Sequence, residues 1–243
     1  YGAPARWIDP IHQEDVALLG LSVVNPTEVV ATHLLEVLKT NFARLFNRRS
    51  LRKLLDEFVA VSDPARAQAN RRILDEMIPD KVSVDMLQSV LRLLLQEQVS
   101  IRNLPMILDS IAEAGAGAPE HICEHVRHRM GFQLVSTMQE PDGALPLVQL
   151  APEWEPIFQK HQLEAAAGGF DVALPPAEFN RLAAAIAEQI SLAGEAGRYP
   201  AVVTTTRRRR FIQAVLSAKG IRNPVFSFEE VGANARPALL GVA

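Results

Sequence analysis

A single cysteine, two tryptophans and two tyrosines leave this 243-residue chain poor in several kinds of chemistry. Cys123 has no partner for an internal disulfide, which fits a reducing compartment. The charge is almost balanced, with 25 basic against 28 acidic residues and a net of −3. That excludes the broad basic field on which nucleic-acid and membrane-surface binding depend. No apolar run approaches the roughly 18 residues that cross a bilayer, and the longest candidate, Leu91 to Leu95, is broken by Arg92 and closed by Gln96. The opening Tyr-Gly-Ala-Pro-Ala-Arg-Trp has neither the basic region nor the apolar stretch of a secretory leader. It does not begin with methionine, so the expectation is a piece of a longer protein. Nucleotide-binding and hydrolase signatures are missing too: there is no Gly-x-Ser-x-Gly, no Walker A loop and no Gly-x-Gly-x-x-Gly.

What is present is an ordinary globular composition, 48% hydrophobic and 22% charged. The length suffices for one large domain or two to three small ones. Residues 11–20 read as a short helix closed by Gly20, and Leu21 to Val24 as a short β-rich run. Asn25-Pro26-Thr27 opens a long helix, with Thr27 as the expected N-cap and Val30, Leu34, Leu38 and Phe42 at helical spacing. Further helices are expected at 50–58, from Asp63-Pro64 to before Pro79, from Ser83 onward, at 104–114 and at 119–130. After Phe132 the pattern changes. Residues 145–150, 201–204 and 225–228 are strand-like, and 175–190 and 207–219 are helical, the latter closed by Gly220. Strand, helix, strand over 201–228 predicts a parallel crossover. The fold class expected is α+β with several subdomains, a mostly helical middle followed by a small α/β C-terminal subdomain. The expected boundaries are 1–45 (short helix, short strand, long helix), 46–130 (helical) and 131–243 (α/β).

Three patterns carry candidate chemistry. His121, His125 and His128 share a helix face, the spacing of a metal site, but no second Cys/His group stands at zinc-finger distance. An amphipathic helix with a polar histidine face is the plainer reading. Arg207-Arg208-Arg209-Arg210 opens a helix, where cations oppose the dipole, so the run is expected to be a solvated, salt-bridged face with Glu229 and Glu230 among its partners. Cys123 stands beside Glu124, which raises a thiol pKa, and His33 is a lone histidine in an apolar helix. Neither makes a catalytic constellation. The expectation is a protein that is not an enzyme, with no catalytic residue, metal or cofactor. A metal-dependent enzyme built on the three histidines is the alternative from another class.

Three stretches carry a distinctive wording: Trp7-Ile8 followed by Gly20-Leu21-Ser22-Val23-Val24-Asn25-Pro26-Thr27-Glu28-Val29-Val30-Ala31-Thr32-His33-Leu34, the most specific; Val90 to Leu104 with Glu97 and Val99-Ser100-Ile101-Arg102-Asn103; and the looser Ala201 to Glu230 stretch. Together they resemble the FlhA/LcrD (FHIPEP) export gate family, flagellar branch. The resemblance implies the later cytoplasmic subdomains of an inner-membrane protein whose cytoplasmic half forms a homo-oligomeric ring. It implies a docking platform for flagellar export chaperones with cargo and for other export apparatus proteins, bound in a hydrophobic dimple between subdomains. Chaperone-binding residues carried over by motif are Tyr1, Val23, Val24, Val29 and Thr32, with some of the valines packing inward and Thr32 at the pocket. Two departures stand out: Tyr1 replaces the usual phenylalanine, and Arg48-Arg49-Ser50 stands where many members have Gln-Glu. The equivalent domain of a virulence injectisome gate is the alternative within the same class. A valine-rich rim at a helix start is a fit receptor for a peptide or helix end, yet the same valines would fill a core equally well.

Overall fold

The computed structural model describes residues 5–164, 170–232 and 235–243. The chain falls into two units, Tyr1–Leu45 and Phe46–Ala243.

In the first unit, Asp9 caps a 3-10 turn, Pro10–His12, by accepting from the Ile11 amide at 3.1 Å. Helix α1 (Gln13–Leu18) follows and ends before Gly20, whose φ of +75° needs a residue without Cβ. Residues 21–24, expected to hold a short strand, have no strand pairing; an isolated β-rich run needs an adjacent edge to become one. Helix α2 (Pro26–Leu45) is capped two residues earlier than the sequence suggested. Asn25, not Thr27, is the cap: its Oδ1 accepts from the Glu28 amide at 2.9 Å while Glu28 Oε2 accepts from the Asn25 amide at 3.1 Å. Pro26 explains the shift, because it favours the first helical position and holds the residue before it in extended backbone.

The second unit starts with a helical layer: α3 (Arg48–Val59), α4 (Pro64–Met77), α5 (Val84–Gln96), α6 (Leu104–Ala114), α7 (Pro119–Arg129) and the short α8 (Gly131–Ser136). Asn47, Asp63, Ser83 and Asn103 each cap the helix that follows through a side-chain oxygen. Leu87, Val90, Leu91 and Leu94 give α5 a fully buried i, i+3, i+4, i+7 stripe against Ile107, Leu108 and Ile111 of α6 and Ile122 and Val126 of α7. Each such side chain contributes about 1.5–3 kcal/mol of burial free energy.

The α/β part continues with β1 (Ala144–Gln149), α9 (Trp154–Lys160), β2 (Gln162–Glu164), β3 (Phe170–Val172), α10 (Pro176–Glu195), β4 (Ala201–Thr204), α11 (Thr206–Ala218), β5 (Val225–Ser227), α12 (Phe228–Val231) and β6 (Arg236–Val242). Strands run β5-β4-β1-β6, all parallel, and β2 and β3 form a separate antiparallel pair. Alternation along the strands splits the core. Leu145, Leu147, Ala201, Val203 and Phe226 face the helical layer, while Val148, Val202 and Val225 face α9, α10 and α11. A sheet covered on both faces is the usual setting of parallel strands. The fold class is therefore the expected one, with the crossover over 201–228 in place. Strand β6 was not visible in the sequence, because Pro237 and Gly241 argue against a strand; its edge position tolerates both.

Candidate functional site

The residues that the sequence marks for docking lie at the start of α2 and just before it. Tyr1 falls outside the described residues. Val23 is half-buried, whereas Val24 is 60% and Val29 39% exposed, and Thr32, one turn beyond Val29, is exposed as well. Along the same helix Val30, Leu34, Leu35, Val37, Leu38, Phe42 and Leu45 are exposed, and of its 20 residues Ala43 alone is buried. An apolar helix face normally points inward; here Val24, Val29, Thr32 and the rest of the stripe stand at the surface of this unit. Backbone donors at this helix start are partly occupied. Glu28 N–H donates to the Asn25 side chain and Val29 N–H to the Asn25 carbonyl.

The arginine run departs from the solvated face that was expected. Arg208 is 1% and Arg209 0% exposed. Arg208 forks onto Glu155, donating from Nη2 at 2.6 Å and Nε at 3.0 Å, and lies over the Phe158 ring. Arg209 is gripped from two sides: its Nη1 and Nη2 reach Glu97 at 2.5 and 3.0 Å, and its Nε and Nη2 reach Glu124, the former at 2.6 Å. Glu97 also holds Arg127 Nη1 at 3.0 Å, and Arg127 Nε donates to Glu230 Oε1 at 2.6 Å. Glu230 thus serves Arg127 rather than the run, and Glu229 accepts from Thr206 Oγ1 at 2.6 Å, at the start of α11. The physical reason is that a guanidinium can be buried when its fork is matched by carboxylates. Burial alone would raise the Glu97 pKa; Arg209 and Arg127 outweigh it and hold the carboxyl below its usual value. Burial likewise works against the Arg209 charge, but Glu124 and Glu97 more than offset it, and the pKa is raised. Glu97 lay in view in the 90–104 segment, yet nothing local in the sequence links it to Arg209.

The remaining candidates do not converge. His121 and His128 are exposed and His125 Nε2 sits 3.5 Å from Glu113 Oε2. Among the described residues no three His, Cys, Asp or Glu side chains are grouped to hold a metal ion. The Cys123 thiol is buried and its pKa is pushed up to about 12, first by burial and then by Glu97 and Glu124, so it is a poor nucleophile. Among the described helices none is long and apolar enough to cross a membrane.

The profile described as the FHIPEP family matches residues 1–236. The flagellar biosynthesis protein FlhA of Caulobacter vibrioides is 32% identical over 247 residues, covering 100% of this chain and 34% of that protein. FlhA of Bacillus subtilis is 28% identical over 247 residues, with 100% and 35% covered. Protein hrpC2 of Xanthomonas euvesicatoria is 31% identical over 190 residues, with 76% and 27% covered. The chain spans about a third of the length of these flagellar relatives. Among solved structures, the nonameric EPEC SctV-C superposes with a TM-score of 0.77 at 18% identity, covering 96% of this chain and 68% of that one. The Chlamydia pneumoniae CdsV protein, in its complex with CdsO, gives 0.74 at 21% identity, with 97% and 67% covered. At such identities these structures speak for the fold.

Proposed function

Because this chain belongs to the FHIPEP family, we propose that it is a docking platform of a flagellar type III protein export gate, binding export chaperones with their cargo. The observation that carries this reading is the exposed apolar row that begins at Val24, Val29 and Thr32 and runs along α2. An amphipathic helix binds to such a face through side chains spaced by one turn. In this reading Tyr1 and Val23 complete the chaperone contact, residues 1–45 belong to the first cytoplasmic subdomains, and 46–130 and 131–243 are the helical and α/β subdomains. The platform lies on the cytoplasmic side of the bacterial inner membrane and works within a homo-oligomeric ring. The nonameric assembly of SctV-C supports a ring, and the CdsV–CdsO complex supports a protein partner without saying of what kind. Chaperone binding would bias subdomain opening and closing.

The test is a calorimetric titration of the chain with a flagellar chaperone bound to filament-type cargo. Micromolar or tighter binding, weakened at least tenfold by Thr32→Ala or Val24→Asp, is the expected outcome. Binding unchanged in both variants removes the site. The alternative within the same class is the equivalent domain of a virulence injectisome gate; binding an injectisome chaperone in preference to the flagellar one would select it. No arrangement among the described residues supports the metal-enzyme alternative.

A further inference from the structure

Five charged side chains are enclosed where the helical layer meets the α/β part of Phe46–Ala243. Glu97 is the C-cap of α5, Glu124 and Arg127 belong to α7, Arg209 to the first turn of α11 and Glu230 to α12. Arg209, Arg127 and Glu230 are 0%, 3% and 2% exposed in their side chains, and Glu124 and Glu97 14% and 17%. Three carboxylates thus face two guanidiniums. Glu230 is fixed further by a capping box with Ser227, and Arg127 Nη2 reaches the Val225 carbonyl at 3.4 Å.

Two features set this cluster apart from a stabilising ion pair. Desolvating five charges costs about as much as their attraction returns, and well-packed apolar replacements of such clusters are often neutral or better. Moreover Glu97 sits at the negative end of its helix dipole and Arg209 at the positive end of its own, so neither charge suits its helix unless the other is docked against it. Apolar contacts between the layers, such as Leu147, Val203 and Phe226 against the helical core, are non-directional and would accept small slips. The forked bonds of Arg209 accept one register.

We propose that the Glu97–Glu124–Arg127–Arg209–Glu230 network is a conformational lock that fixes the register of the α/β part on the helical layer, with little net effect on stability. The unit Phe46–Ala243 then transmits a pull on either part as one body. This holds whatever the chain binds, and the test involves no binding partner.

The experiment compares the parent chain, Arg209→Met, and the triple variant Glu97→Leu/Glu124→Leu/Arg209→Met by thermal melting and amide hydrogen exchange. The triple variant leaves the Arg127–Glu230 pair. Arg209→Met should melt well below the parent, since it strands Glu124 and leaves Glu97 with Arg127 as its one remaining partner in the network. The triple variant should melt at or above the parent. Its amides at Val99, Arg208, Ser227 and Glu230 should nevertheless exchange at least tenfold faster, while those in the middle of α5 and in β1 stay as protected as in the parent. Parent-like exchange at all four amides overturns the lock. A triple variant that melts as low as Arg209→Met, or fails to fold, shows the network to be a plain stabiliser and overturns it too.

Discussion

Glu97 and Arg209, 112 residues apart in the chain, meet at 2.5 Å although each opposes the dipole of its own helix. Their pairing gives stability a definite dependence on pH. The folded Glu97 carboxyl has a lowered pKa, so its contribution is complete above the ordinary value of 4.5 and is lost as pH falls through the lower folded value. Melting temperature in the parent should therefore drop steeply below about pH 4.5. Glu97→Gln should be less stable than the parent at neutral pH and respond less to acid below it. Parallel acid limbs in the two proteins would show that Glu97 does not carry the effect.

Cys123 should be inert while the chain is folded. Burial, Glu97 and Glu124 raise its pKa from 9.0 to about 12, which lowers the thiolate fraction at pH 8 on the order of a thousandfold. A thiol reagent at pH 8 should modify the native chain at least a hundredfold more slowly than the urea-unfolded chain, by the same argument. Comparable rates would place the thiol at the surface.

Two backbone positions make opposite predictions. Gln98 has φ 57° at the end of α5, where the Val99 amide bonds to the Leu94 carbonyl and the Gln98 amide to that of Leu95. That is a helix-ending motif in which glycine is favoured. Gln98→Gly should raise stability by about 0.5–1 kcal/mol, the left-handed penalty less the extra entropy of glycine. At Gly131, by contrast, an added Cβ would lie 2.5 Å from the Glu230 carbonyl oxygen, where α8 crosses α12. Gly131→Ala should cost about 1–3 kcal/mol, since backbone must shift. Chemical denaturation of both variants measures the two signs, and equal effects would refute both arguments.

How much could be read in advance follows the range of the forces involved. Asp63-Pro64 and Ser83 announce helix starts because a cap acts within three residues, and the α11 crossover could be read because its strands flank it closely. Asn25 was missed as a cap only because Thr27 is an equally good residue type and Pro26 decides between them. The burial of Arg208 and Arg209 was out of reach, since Glu97, Glu124 and Glu155 arrive from three other helices. Val24, Val29 and Thr32 came from family resemblance, as periodicity alone would have turned the valines inward.

That exposure makes the proposed docking residues separable from the fold. Val24 precedes the cap of α2 and Thr32 lies on its open face, so neither supports a core of its unit. Substitutions of exposed side chains that make no capping bond usually change stability by no more than about 0.5 kcal/mol. Thr32→Ala also replaces a β-branched residue with the best helix former. Val24→Asp and Thr32→Ala should both keep the parent melting temperature within about 2 °C, the shift that this free energy produces in a chain of this size. Circular-dichroism melts of the two variants measure it. A larger fall in either would mean that the residue supports the fold, and a loss of chaperone binding in that variant would then say nothing about the site. Unchanged melts make any loss of affinity a direct report on contact.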